Sequence, residues 1–188
     1  MDQASMESLY RTYGSMVLRQ RKIWKSFGAG LCSTSISNTD DHLRNHGFLY
    51  AGQDGWRLSP AYDLNPVPVD IKPRILTTTI NEDDGTASLD LAISVAEYFE
   101  LEKDEAKAIA AEVGNAVSTW RNEAARHGVT KSEIDRMATA FEHDDLKKAQ
   151  EIDCETYVPT TRRSRPLLFA ARPIDIYFLM KHVCWRRM

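Results

Sequence analysis

Apolar side chains recur at three- and four-residue intervals along much of the chain, and this spacing predicts a mainly helical protein. Ser88 and Asp104 are suitable N-cap residues for two of the helices. Gly128 stands where a left-handed residue would end another. The predicted helices cover residues 5–25, 88–100, 104–127 and 131–143.

Two short apolar segments, residues 47–50 and 56–58, predict a β-hairpin. The glycines between them, Gly52 and Gly55, permit the positive φ angles of a tight turn. Residues 74–80 (RILTTTI) are rich in β-branched side chains and predict a further strand. The expected fold class is therefore mainly α with a small β-hairpin.

Two polar clusters on either side of the hairpin contain the candidate chemistry. Asn45 follows Asp40 by 5 residues, and Asp63 follows Asp40 by 23. Carboxylate and amide oxygens suit Mg²⁺, which takes few protein ligands and leaves room for phosphate oxygens. Phosphoryl transfer needs such a metal and a carboxylate that orients the attacking hydroxyl, and protein kinases arrange these groups in the same order and spacing.

The two clusters also resemble motifs of a known family. Residues 38–49 (NTDDHLRNHGFL, the first motif) are similar to the catalytic loop of HipA-type serine/threonine kinases, the toxins of HipBA toxin–antitoxin systems. Residues 56–64 (WRLSPAYDL, the second motif) resemble that family's second metal motif. The resemblance runs through roughly residues 36–148 and implies the C-terminal, helical lobe of a protein-kinase-like fold.

The resemblance implies a role for each matching side chain. Asp40 would be the catalytic base, with His42 in a supporting catalytic position two residues later. Asn45 and Asp63 would bind Mg²⁺ and, through it, the phosphates of ATP. Asp41 is expected to shape the loop as a hydrogen-bond acceptor, because the spacing from Asp40 to Asn45 fixes which carboxylate is the base.

The domain expectation divides the chain at residue 150. Residues 1–150 are assigned to the kinase-like lobe and residues 151–188 to a divergent basic tail that is disordered or poorly packed. From residue 156 onward the chain has 7 basic and 1 acidic side chains. No segment resembles the family's ATP-holding N-terminal lobe, so that lobe is expected to be missing and the isolated chain to have negligible turnover.

Residues 26–37 (SFGAGLCSTSIS) are read as a loop or a poor helix. The family resemblance places an apolar helix there instead. We hypothesise that two compensating shifts of reading frame altered this stretch, which the genomic sequence would test.

Charge and cysteine content limit the classes of partner. The formal net charge of −3 gives no general preference for nucleic acid or anionic membrane. Three unpaired cysteines without metal-ligand spacing predict a reduced, cytoplasmic setting. No apolar run reaches the roughly 18 residues of a membrane span. The family resemblance implies a protein substrate and an antitoxin-like DNA-binding partner.

Other interpretations remain open at the level of sequence. The first motif could be a cluster of helix caps and Asx turns. Trp56, Tyr62 and Trp120 are expected to pack in the core or hairpin and not to stack on substrate. Alternative functions are a non-catalytic remnant that binds an antitoxin-like or substrate protein, a Mg²⁺-dependent hydrolase that uses water, and a pseudogene product.

Overall fold

The computed structural model describes residues 30–50, 52, 55–59 and 62–152, and most of its regular structure is helical, as predicted. The predicted helix at 5–25 and the tail from residue 153 lie outside the described residues. The helices are α1 (30–35), α2 (Leu89–Ser94), α3 (Lys103–Ser118), α4 (Trp120–Arg126), α5 (Lys131–Arg136), α6 (Ala138–Phe141) and α7 (Asp144–Glu151), with 3₁₀ turns at Leu43–Asn45 and Ala96–Phe99.

The predicted hairpin is present and connects the two motifs. Strands β1 (Phe48–Tyr50) and β2 (Trp56–Leu58) pair antiparallel, with Phe48 opposite Leu58 at the open end. Gly52 and Gly55 have φ angles of 65° and 72°, the left-handed conformation that glycine adopts without steric cost. The hairpin therefore brings the end of the first motif beside the start of the second.

The strand predicted at residues 74–80 is wrong. Within this segment Ile75 forms an isolated bridge with Thr86 and does not extend the sheet. The backbone N–H groups of Leu76 and Ile80 bind carbonyls of the turn at 84–85, at 2.7 and 3.2 Å. Those of Thr77 and Thr78 bind the first motif. Residues 74–80 therefore form a loop that is hydrogen-bonded to the turn at 84–85 and to the first motif, and they do not form a β-ladder.

The long helices predicted after residue 88 are broken into shorter ones. The break at Thr119, between α3 and α4, has a local cause. The hydroxyls of Ser118 and Thr119 bind back to the carbonyls of Asn115 and Ala116 at 2.7 and 2.9 Å. Such bonds compete with the helix ladder. The other predicted helices divide at Val95 and Met137.

Helix ends were predicted with mixed success. Ser88 caps α2 as expected, since its Oγ accepts the Leu91 N–H at 3.3 Å. Asp104 is not a cap: α3 begins two residues earlier, at an N-cap formed by Glu102, because the Glu105 carboxylate accepts the Glu102 N–H at 3.0 Å. Gly128 has a φ of 80° just after α4, as predicted.

The described residues pack around two apolar clusters. The first is built from α2, α3 and the adjoining 3₁₀ turn, and it includes Leu31 of α1. The second lies among α4–α7, where Trp120, 2% exposed, stacks on Phe141 with ring centroids 4.3 Å apart. This confirms Trp120 as a core residue. Helix α7 packs closely on α3, where Gly114 faces Ala149.

The segment before the first motif is folded and buried. Residues 30–35 form α1, although the sequence favoured a loop or a poor helix. The buried polar side chains from α1 into the first motif are small or neutral: Ser33, Thr34, Ser35, Ser37, Asn38 and Thr39. Leu31 and Ile36 of the same segment join the two apolar clusters, so the packing before the motif combines apolar contacts with buried polar side chains.

Candidate functional site

The start of the first motif forms a turn in which the side chains alternate between core and surface. Thr39 is fully buried and Asp41 is 6% exposed, whereas Asp40 between them is exposed. Asp40 is therefore the carboxylate at the surface of this stretch, as its assignment as the base requires.

Thr77 and Thr78 hold residues 39–41 at the start of the first motif in place. Thr77 donates to the Thr39 carbonyl from its backbone N–H (3.2 Å) and from its Oγ1 (2.9 Å). Thr78 donates to the Asp41 carbonyl from its N–H (2.9 Å) and from its Oγ1 (2.8 Å). The carbonyls on both sides of Asp40 thus each accept two hydrogen bonds from one segment.

The side chain of Asp41 is a buried hydrogen-bond acceptor, as expected. Ser33 Oγ donates to one carboxylate oxygen at 2.8 Å, and His46 Nε2 lies 2.8 Å from the other. This carboxylate is engaged on both oxygens inside the fold, which agrees with its assignment as a structural group. Neither Ser33 nor His46 was identified as its partner from the sequence, because a pattern of polar residues does not show which of them will meet.

The second motif is tied to the first at residues on both sides of Asp63. The Tyr62 hydroxyl donates to the Arg44 carbonyl at 2.6 Å. The Asn65 N–H donates to Asn38 Oδ1 at 3.2 Å. Tyr62 and Asn65, which lies just beyond the second motif, therefore contact the first motif at its middle and at its first residue. Tyr62 was expected to pack in the core or hairpin, but the residue is 41% exposed and its hydroxyl binds the first motif instead.

Asp63 itself has an unusual backbone conformation. Its φ is 56°, in the left-handed region that side chains other than glycine seldom adopt. Its Oδ1 accepts a hydrogen bond from Asn65 Nδ2 at 3.0 Å. Strained residues of this kind cluster at active sites and ligand-binding loops. Ser37 and Glu100 have the same conformation, with a φ of 53° each, so the backbone of Asp63 is consistent with a functional position but does not by itself assign one.

Asn45 and His42 have buried polar atoms without partners. Asn45 is 9% exposed, and neither its Nδ2 nor His42 Nδ1 finds a hydrogen-bond partner among the described residues. Buried polar atoms are nearly always paired. The amide oxygen and nitrogen of asparagine exchange places by a flip of the side chain. The unpaired atom of Asn45 is the amide nitrogen, which donates and cannot bind a cation. With the side chain flipped, the amide oxygen takes that position, and in this orientation Asn45 is compatible with the role expected of it.

Within the described part of the chain, no three or more His, Cys, Asp or Glu side chains are grouped so as to hold a metal ion. A Mg²⁺ site does not require such a group, since one carboxylate, an amide oxygen, water and phosphate oxygens suffice. Asp63 and Asn45 fit that smaller donor set.

The contacts of Arg74 with several segments were not predicted, because Arg74 lay in a predicted strand. Its guanidinium donates to Ser37 Oγ (3.0 Å), to the Thr34 carbonyl (3.0 Å) and to Asp145 Oδ2 (2.7 Å). The other oxygen of Asp145 accepts the Leu89 N–H at 3.0 Å. One ion pair therefore joins α7, the start of α2 and the segment leading into the first motif.

Cys32 of α1 is not a reactive thiol. Burial and, to a smaller extent, the negative charge of Asp41 raise the pKa of Cys32 to about 12. Only the thiolate is nucleophilic.

A sequence model of the HipA-like C-terminal domain family matches residues 2–120 of this chain. The chain belongs to the HipA-like C-terminal domain family. The match contains both motifs and the unusual residues 26–37, and it ends at the first residue of α4. No curated protein and no solved structure matches the chain. None of the helices among the described residues has the length and apolar character needed to cross a bilayer. Family membership indicates a relationship to the HipA-like kinases.

Proposed function

We propose that this HipA-like domain supplies the catalytic-loop side of an ATP- and Mg²⁺-dependent transfer of a phosphoryl group to a serine or threonine of a protein substrate. Asp40 orients the acceptor hydroxyl and takes its proton late in the transfer. Asn45 and Asp63 bind Mg²⁺, and His42 supports the loop beside the transferred group.

The observation that carries the proposal is the attachment of the second motif to the first on both sides of Asp63. Hydrogen bonds from Tyr62 to the Arg44 carbonyl and from Asn65 to Asn38 fix this approach. A metal site shared by Asn45 and Asp63 requires that approach. A cluster of helix caps would account for the first motif alone and would not require the second to be tied to it.

The exposed position of Asp40 supports its assignment as the base. A general base must reach a hydroxyl that comes from another molecule, and Asp41, whose two oxygens bind Ser33 and His46, has no carboxylate oxygen left unengaged. When bound, Mg²⁺ neutralises the phosphate charge that grows during transfer. The described residues contribute the base, the metal ligands and the fixed loop geometry.

The proposed partners follow from the family. The acceptor is a protein hydroxyl, and an antitoxin-like DNA-binding protein is the proposed regulatory partner. A cytoplasmic location is likewise proposed. ATP is the phosphoryl donor, and its phosphates are held largely by groups other than the described residues.

The proposal is tested by joining the chain behind the ATP-binding lobe of a HipA-like kinase and measuring transfer of labelled phosphate from ATP to protein. Asp40→Asn should lower the rate by about 10²–10⁴-fold, the usual contribution of a general base. Asp63→Asn should remove the dependence on Mg²⁺ concentration together with most activity. Ser132→Ala, at an exposed position of α5, is the control and should leave the rate unchanged.

The alternatives give different results in the same assay. Release of free phosphate without a labelled protein would indicate a hydrolase. Label transfer that persists in Asp40→Asn would refute the assignment of the base. A partner protein captured equally by wild type, Asp40→Asn and Asp63→Asn, in the absence of any transfer, would favour the non-catalytic remnant.

A further inference from the structure

The hydrogen bond between Asp41 and His46 lies next in the sequence to the proposed base, Asp40, and the proposed metal ligand, Asn45. Asp41 and His46 are 5 residues apart, as are Asp40 and Asn45, and each partner is the residue immediately after a member of that pair. The side chains meet at 2.8 Å, with Asp41 9% and His46 18% exposed. A single contact thus closes the loop one residue C-terminal to each of the two groups whose separation matters.

The Asp41 end of this contact is fixed. Its second carboxylate oxygen accepts the Ser33 hydroxyl at 2.8 Å, and its carbonyl accepts two hydrogen bonds from Thr78. Side chain and backbone of Asp41 are therefore both anchored to neighbouring segments. The backbone of Asp40, which precedes Asp41, is therefore also held in place.

The His46 end depends on a short turn. The Asn45 N–H binds the His42 carbonyl at 2.8 Å, and the His46 N–H binds the Leu43 carbonyl at 3.2 Å, which together form one 3₁₀ turn. Such turns have weaker hydrogen-bond geometry than an α-helix. The hydrogen bond between the His46 side chain and the anchored Asp41 holds this turn, and with it Asn45, against residues 39–41.

We infer that Asp41 and His46 form a clamp that sets the separation of Asp40 and Asn45. They act as positioning residues for the metal-dependent site, and this inference rests on the proposed function. Groups that hold metal ligands in place without touching the metal commonly change metal affinity by about 10–100-fold when they are mutated. The clamp is expected to have an effect of that size.

The test uses Mn²⁺ as a paramagnetic substitute for Mg²⁺ and follows the broadening of backbone amide signals in the ¹⁵N-labelled chain. In wild type, the signals of Asn45 and Asp63 should broaden over the same Mn²⁺ range. His46→Leu should raise the Mn²⁺ concentration required by about 10–100-fold. His46→Gln, which keeps an amide donor for Asp41, should restore most of the affinity.

A matched control separates positioning from loss of stability. Arg126→Leu removes the basic partner of Glu123, a carboxylate on α4 whose side chain is 11% exposed, close to the 9% of the Asp41 side chain. It should leave the Mn²⁺ dependence unchanged. If His46→Leu does not fold, Ser33→Ala serves instead: it removes one of the two side-chain bonds to Asp41 and should shift the broadening in the same direction by a smaller factor.

The outcomes distinguish the clamp from the proposed function. Broadening that is lost in Asp63→Ala but is identical in wild type, His46→Leu and Ser33→Ala would overturn the clamp alone. Equal weakening in His46→Gln and His46→Leu would overturn it as well, because the donor would then be irrelevant. A wild-type chain in which neither motif broadens would overturn the proposed function and the clamp with it.

Discussion

The contact between α3 and α7 gives a prediction whose size follows from the structure. A methyl group added at Gly114 would lie 2.6 Å from the Cβ of Ala149, whereas ordinary carbon contacts are about 3.5–4.0 Å. Gly114→Ala gains about 1 kcal/mol of helix propensity. Forcing the helices apart by roughly 1 Å costs about 1–3 kcal/mol as overpacking. The substitution should therefore lower the free energy of unfolding by about 0–2 kcal/mol.

The collision itself is isolated by a double-mutant cycle. Ala149→Gly alone should destabilise by roughly 2 kcal/mol, from about 1 kcal/mol of helix propensity and about 0.8 kcal/mol for the buried methyl. In the double variant the methyl is transferred from one helix to the other and the collision disappears. The double variant should then be about 1–3 kcal/mol more stable than the sum of the single effects predicts.

Denaturation by urea, followed by circular dichroism, measures these differences provided that the slope of each transition is unchanged. Asn115→Ala, at an exposed position of α3, is the control for propensity and should stabilise by less than about 0.7 kcal/mol. Strictly additive effects of the two single substitutions would show that α7 does not pack on α3 at this point. The assignment of residues 144–151 to the folded body would then be wrong.

Three further predictions concern the site and its support. His143 Nδ1 accepts the Leu146 N–H at 3.3 Å, and burial, followed by the charge of Arg74, lowers the pKa of His143. Because the pKa of His143 is lower in the folded protein, the unfolded chain binds a proton more readily. The stability that neutral His143 contributes is therefore complete above about pH 6.5, and it declines as the pH falls through the lower pKa of the folded state. The pH dependence of the urea midpoint should be weaker in His143→Asn, which keeps a cap, and an unchanged dependence would contradict this. Thr78→Val should lower the free energy of unfolding by about 1 kcal/mol, the net value of a buried hydrogen bond, whereas Thr78→Ser should retain most of it. Asp63→Gly should be about 1–2 kcal/mol more stable than Asp63→Ala in the same denaturation assay, because only glycine is unstrained at a φ of 56°.

Much of the secondary structure could be predicted because it depends on local pattern. The hairpin needed only two apolar segments and the glycines between them, and Ser88 and Gly128 act through neighbouring residues. The break at Thr119 was not predicted, because it depends on whether hydroxyls bind back to the helix or face water. The strand at 74–80 failed for a related reason: β-branched residues show a preference for extended backbone but not which segment will accept their hydrogen bonds.

The candidate site shows the same division. Sequence distinguished Asp41 from Asp40, since the spacing to Asn45 fixes the register, and the structure agrees that Asp41 is a hydrogen-bond acceptor inside the fold. The ion pair between Arg74 and Asp145 joins residues 71 apart in the chain. No periodicity or motif relates two such positions, so this connection could be recognised only from the folded molecule.

The ion pair of Arg74 with Asp145 has a practical consequence for anyone who trims this protein. An expression fragment cut to residues 2–120 would contain both motifs and yet discard the carboxylate that neutralises Arg74, whose side chain is only 17% exposed. Leaving one member of a buried ion pair unmatched typically costs about 3–5 kcal/mol, a large share of a small domain's stability. Fragment boundaries should therefore be drawn beyond α7.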